Sequence, residues 1–318
     1  MSTGATIRSD DRGLARARQV LDGLALFATA DRSQLALTRL GGLTNLVFRI
    51  DDGAQHYVLR VPGKGTEEYI NRSHEAQAAR ETARVQVSPA VLHFDTATGV
   101  MVTRLVKNAV TMTPENFRSR VGAPARAGEV LRRLHGSDAL FGFRFELFTM
   151  IDDYLKVLAG KQTALPPGYH DVVQEAEVVR AALAAHALPS VACHCDPLCE
   201  NFLDTGERMW LVDWEYSGMN DPLWDLGDLS VEGGFDAAQD EQMIRAYFGG
   251  EARPADRGRI VIYKAMCDLL WTLWGLIQHA NHNPVDDFWV YSIGRFERCK
   301  QLLATPEFRR HVASVQKG

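Results

Sequence analysis

The densest group of side chains able to do chemistry is His194-Cys195-Asp196-Pro197-Leu198-Cys199-Glu200-Asn201, followed by Trp210-Leu211-Val212-Asp213-Trp214-Glu215. Phosphoryl transfer needs a carboxylate to position the attacking hydroxyl and accept its proton, a task that suits Asp196. It also needs hard oxygen ligands for the magnesium ions that bridge the ATP phosphates, which suits Asn201 and Asp213.

The order H-x-D-x-x-x-x-N, then a short apolar strand, then D-x-E, is related to the kinase catalytic loop and its metal-binding Asp. Turn capping explains Asp196 or Asn201 taken singly, but not the ordered set with its strand context. Cys193, His194, Cys195 and Cys199 suggest zinc as a rival, but no second ligand pair follows them. The cysteines read instead as small fillers behind the loop.

These residues need elements to hold them. Residues 14–28 carry the apolar spacing of an amphipathic helix, and short strand-like runs follow at 35–40, 46–50 and 56–61. A charged helix over 73–85 precedes two more strands, 90–94 and 100–105. Five strands with one helix between the third and fourth imply an antiparallel sheet domain. Beyond Val106 helical patterns dominate: 114–135 interrupted near Gly122, then 151–159, 172–185, 238–248, 257–279 and 286–303. Short strands recur at 191–194 and 209–212, with Phe202-Leu203 extending the group. The expected α+β architecture is a small β-rich lobe, residues 1–105, then a larger and mainly helical lobe, 106–318, with a cleft between them.

Composition agrees without choosing a chemistry. Among 318 residues, 40 Asp or Glu against 35 Lys or Arg give a net charge of −5, which argues against a general nucleic-acid binder. No basic-then-apolar leader opens the chain, and no stretch reaches the ~18–20 apolar residues of a membrane helix. Five cysteines, odd in number and bunched, favour a reducing cytoplasm over a disulfide framework.

Together, Gly41-Gly42-Leu43-Thr44-Asn45, Tyr57-Val58-Leu59-Arg60-Val61-Pro62-Gly63, His194-x-Asp196-(four)-Asn201 and Asp213-Trp214-Glu215-Tyr216 resemble the choline/ethanolamine kinase family, its bacterial members most of all. That family belongs to the aminoglycoside-phosphotransferase-like group, so the resemblance implies a protein-kinase-like two-lobed fold and an ATP- and magnesium-dependent kinase. It places the turn with Gly41, Gly42, Thr44 and Asn45 over the ATP phosphates. It gives Arg60 a phosphate contact, with Glu75 pairing to orient it, and gives Asp225 the task of bracing the catalytic loop. Cys195 stands where family members often have Asn, a departure that touches the loop's hydrogen bonding.

The acceptor clue is Asp268-Leu269-Leu270-Trp271-Thr272-Leu273-Trp274. At 100° per residue the two tryptophans fall on one side and Leu269, Leu273 and Leu276 nearly opposite, so the helix faces two environments. Ring faces attract a quaternary ammonium, which cannot donate strong hydrogen bonds. Tyr216 and Tyr291 match further aromatic positions of the family's choline pocket, while Glu215 suits either the cation or the metal. The resulting expectation is choline phosphorylation. Ethanolamine, an aminoglycoside or another amino alcohol is an open alternative, and a non-catalytic kinase-fold binder is a third.

Overall fold

The computed structural model describes residues 6–31, 35–41, 45–63 and 70–318, with side chains from residue 13 onward. Gly42 and Thr44 lie outside the described residues. The chain divides into two units, residues 1–109 with 210–216, and residues 110–209 with 217–318. The segment Trp210–Tyr216 therefore belongs to the first unit, although it follows the catalytic loop in sequence.

The first unit begins with helix α1 (Thr6–Gly23) and continues through strands β1 (Ala36–Gly41), β2 (Leu46–Asp51) and β3 (His56–Val61). Helix α2 (Arg72–Arg84) and strands β4 (Val91–Phe94) and β5 (Met101–Arg104) follow. The five strands form one sheet in the order β1-β2-β3-β5-β4, with antiparallel neighbours. Alternation along β2 and β3 turns Phe48, Ile50, Leu59 and Val61 to one core, where Ala17, Leu21 and Leu24 seal it. Asn71 caps α2 by accepting from the amides of Ser73 and His74, which fixes the turn of helix that carries Glu75.

The second unit opens with β6 (Val110–Thr111), α3 (Pro114–Ser119), α4 (Ala123–His135), α5 (Leu147–Gly160), α6 (Tyr169–Glu175) and α7 (Glu177–Ala185). Strands β7 (Val191–Cys193), β8 (Phe202–Asp204) and β10 (Gly218–Asn220) frame the polar loops, β7 pairing with β10 and β6 with β8, while β9 (Met209–Leu211) leads into the segment that belongs to the first unit. Helices α8 (Leu223–Gly233), α9 (Ala237–Phe248), α10 (Pro254–Ala280), α11 (Phe288–Leu303) and α12 (Pro306–Lys317) complete it. Helix α10 packs against α5, α8, α11 and α12. The expectation that no segment is long enough to span a membrane needs correcting. By length and composition α10 is, and 78% of its apolar window is buried within the fold. A helix surrounded by four others is apolar all round for that reason.

Candidate active site

Each unit holds a buried charge network around sequence-predicted residues. In the first unit, Arg60 on β3 and Glu75 on α2 form an ion pair with both side chains almost wholly buried. Arg60 Nη1 also donates to Asp213 Oδ1 at 3.1 Å and lies 3.7 Å from Glu215 Oε1. Burial opposes the Arg60 charge, yet Glu75, Asp213 and Glu215 together hold its pKa above the ordinary arginine value. A guanidinium that stays charged in this setting can serve as a fixed phosphate contact.

Arg72 is a participant that the sequence reading missed. Its Nη1 donates to Glu75 Oε2 and to Glu215 Oε1, both at 2.7 Å. Asn45 Nδ2 donates to the same Glu215 oxygen at 3.2 Å, and the Gly63 amide donates to Asn45 Oδ1 at 3.4 Å. Glu215 is thus held by Arg72 and Asn45, and both Glu215 and Tyr216 lie in the unit that does not contain Trp271, Trp274 and Tyr291. The one available signal for Arg72 was its i, i+3 spacing to Glu75.

Asp213 takes a left-handed backbone conformation, φ +67°, two residues after β9 ends at Leu211. Although about a third of its side chain stays exposed, desolvation of the rest and the Glu215 charge hold its carboxyl above the usual carboxylate range against the pull of Arg60. Glu75, Asp213 and Glu215 converge with carboxylate oxygens within 4.8 Å of one another. Three carboxylates against two arginines leave a surplus of anionic oxygen, a donor set that suits magnesium.

In the second unit, the catalytic loop hangs on Asp225, which lies in the first turn of α8. Asp225 accepts from the His194 amide at 2.7 Å and the Cys195 amide at 2.9 Å, and His135 Nε2 lies 3.0 Å from its Oδ2. Cys195 has φ +66°, a conformation that Asn tolerates best among side-chain-bearing residues. In this chain its buried sulfur sits near the Gly218 carbonyl and accepts weakly from Asn220 Nδ2. The Trp224 indole adds a 3.0 Å bond to the Cys195 carbonyl. Burial pushes the thiols of Cys193, Cys195 and Cys199 up, so they remain protonated behind the loop. Asn201 Nδ2 donates to the Asp196 backbone carbonyl at 3.0 Å, which commits its nitrogen and turns its side-chain oxygen toward an acceptor role.

Asp196 lies close enough to Asp228 and Tyr291 to act on both electrostatically. Around them the second unit gathers an aromatic group. Trp274 meets Trp271, Phe288 and Tyr291 edge to face, with ring centroids 6.4, 5.6 and 6.0 Å apart. Close contact of α10 and α11 brings Trp274 and Tyr291 together, and Gly275 permits it: a Cβ there would lie 2.6 Å from Tyr291 Cδ1. Trp271 is only 4% exposed, whereas Trp274 and Tyr291 are half-buried. The expected two-sided helix is therefore refined, with Trp271 in the core and Trp274 keeping an open edge.

Sequence reasoning also missed Asp228, Glu232 and Arg295. The carboxylates recur on α8 at i, i+3 and i+7 (Asp225, Asp228, Glu232), one face of a helix that its glycines concealed. Glu232 pairs with Arg295, whose guanidinium stands 4.6 Å from the Tyr291 ring centroid.

Residues 36–259 match the phosphotransferase enzyme family. A crystal structure of a choline/ethanolamine kinase family protein from Mesorhizobium loti superposes with a TM-score of 0.89 at 67% identity, covering 96% of this chain and all of that one. The chain belongs to the choline/ethanolamine kinase family. Choline kinase LicA from Streptococcus pneumoniae is similar at 25% identity and TM-score 0.75, over 91% of this chain and 99% of its own. Protein LicA from Haemophilus influenzae is 24% identical across 87% of this chain and 83% of its own length. As a member of this family, the protein is a phosphotransferase with an alcohol acceptor, a small-molecule kinase on a two-lobed kinase-like fold.

Proposed function

We propose that the protein is an ATP- and magnesium-dependent choline kinase. The observation that carries the reading is the partly open ring group of Trp274 and Tyr291, on the same unit as Asp196, with Tyr291 within its electrostatic reach. Partly exposed rings near a half-buried carboxylate suit an ammonium that cannot donate hydrogen bonds.

In this reading Asp196 accepts the hydrogen bond of the choline hydroxyl and takes its proton as that oxygen attacks the γ-phosphorus of ATP. Asp225 fixes the loop through the two amides it receives, so Asp196 need not reorganise during the reaction. The first unit serves the nucleotide: Arg60, oriented by Glu75, contacts phosphate oxygens, and the turn with Gly41, Gly42, Thr44 and Asn45 covers them. Asn201 and Asp213 would hold magnesium, which would offset charge on the phosphates. Tyr216 is a further aromatic contributor to acceptor binding, Trp271 supports Trp274 from the core rather than meeting the acceptor, and Glu215 is a carboxylate placed by Arg72.

Purified protein given ATP, magnesium and choline is expected to produce ADP and phosphocholine in equal amounts. Turnover of ethanolamine but not choline would replace the acceptor and keep the kinase. Failure with both, together with no heat of Mg-ATP binding in calorimetry, would leave a kinase-fold binder.

A further inference from the structure

The half-open ring of Tyr291 already has a cation on one face. Arg295, on α11 one turn after Tyr291, places its guanidinium carbon 4.6 Å from that ring centroid. The same guanidinium reaches two carboxylates. Nη2 pairs with Glu232 of α8, and Nη1 donates to Asp268 Oδ1 of α10 at 3.1 Å. Asp268 is held in turn by Arg298, which donates through Nε at 2.6 Å and Nη2 at 2.5 Å. Arg295 is 6% exposed and anchored on three helices, so its position is fixed by the fold. Burial opposes its charge, but Glu232 and the other neighbours hold its pKa well above the ordinary arginine value.

The consequence falls on Glu232, whose side chain retains 12% exposure. A carboxylate committed to a guanidinium has less to offer a second cation. Asp228, one turn earlier on α8, adds little negative charge. Burial, Glu232 and Asp196 drive its carboxyl well above the usual range, while Cys267 Sγ donates to its Oδ1 at 2.7 Å. What stays available beside Asp196 is therefore largely ring surface. A primary ammonium entering such a place gives up hydrogen bonds to water and needs acceptors to replace them. A quaternary ammonium has none to replace and interacts with ring faces through charge alone.

We propose that Arg295 is a specificity-determining positioning residue: by occupying Glu232 and one face of Tyr291, it biases the acceptor site toward quaternary over primary ammonium alcohols. This rests on the reading of the second unit as the acceptor site.

The test is kcat/KM for choline and for ethanolamine, measured on the full chain and its variants. Wild type is expected to favour choline. Arg295→Met frees Glu232 to accept charge-assisted hydrogen bonds from ethanolamine, so the choline-to-ethanolamine ratio should fall about tenfold. Arg295→Lys keeps a charge but not the planar fork, so the ratio should fall by a smaller factor, roughly threefold. Adding Glu232→Gln to Arg295→Met should return the ratio toward wild type. A merely structural role would depress both substrates together and leave the ratio unchanged. If Arg295→Met loses its cooperative melt, the Arg295→Lys ratio decides. A ratio within twofold of wild type in the folded variants, or one that rises, overturns the role of Arg295 while choline turnover by wild type stands. Wild type turning over neither acceptor removes the choline reading, and this inference with it.

Discussion

Two largely buried networks, each of two arginines and three carboxylates, use similar charges for opposite purposes. In the first unit Arg60 and Arg72 meet Glu75, Asp213 and Glu215. In the second, Arg295 and Arg298 meet Glu232 and Asp268, with the Asp228 carboxyl beside them pushed well above the usual range by burial and Glu232. In the first, three carboxylates crowd together and Asp213 keeps 35% of its side chain exposed. That combination suits a polyanion with its counter-cation. The second stacks one arginine on Tyr291, next to the Trp274 and Phe288 rings, a combination that suits an organic cation. A count of charged residues does not separate the two. The atoms left uncommitted do: carboxylate oxygen in one, ring surface in the other.

Substitutions should break the two networks differently. Asp196→Asn, which removes the proton acceptor without changing shape, is expected to lower kcat about 10³-fold and to leave choline and Mg-ATP binding measurable by calorimetry. Arg60→Met should lower kcat/KM for ATP about 100-fold, through loss of charge-assisted phosphate contacts, with a much smaller change in choline affinity. The mirror image is Trp274→Ala, expected to raise the choline KM roughly tenfold while the ATP KM stays within about twofold. Equal changes in both constants would point to damage shared by the whole protein. The smallest effect is on stability. The folded pKa of Asp213 lies above its unfolded value, so its ionisation costs the folded state at high pH and costs nothing below the unfolded pKa. Asp213→Asn should therefore raise the melting temperature of the ligand-free protein by about 2–4 °C at pH 8 and by less at pH 5, with turnover lost.

The network built on ordered motifs was the more legible one. Arg60, Glu75, Asn201 and Asp213 stand in spacings that phosphoryl transfer constrains, and the strands around them alternate clearly. The other depends on helix α8, which the sequence conceals. No helix was read across 223–233, where Gly227 and Gly233 interrupt the apolar spacing, yet a Cβ at Gly227 would lie 2.7 Å from the Tyr263 Cβ, so this glycine lets α8 approach α10. With α8 unread, Asp228 and Glu232 had no face to belong to, and Arg295 had no visible partner. Helix α12 was missed although Thr305, a cap that accepts from the Phe308 amide, and Pro306 in its first turn mark its start. Helix α1 starts earlier than its apolar spacing suggests, because Thr6–Asp11 continue the helix without continuing the spacing. Tertiary contact decided each of these points except α12, where the local signal was present.

The central claim is that the second unit selects its acceptor through ring faces. The direct measurement is steady-state ADP release with magnesium and saturating ATP, comparing kcat/KM for choline, ethanolamine and an aminoglycoside on the same preparation. The account predicts that choline ranks first and the aminoglycoside last. An aminoglycoside or ethanolamine ranking above choline would contradict it.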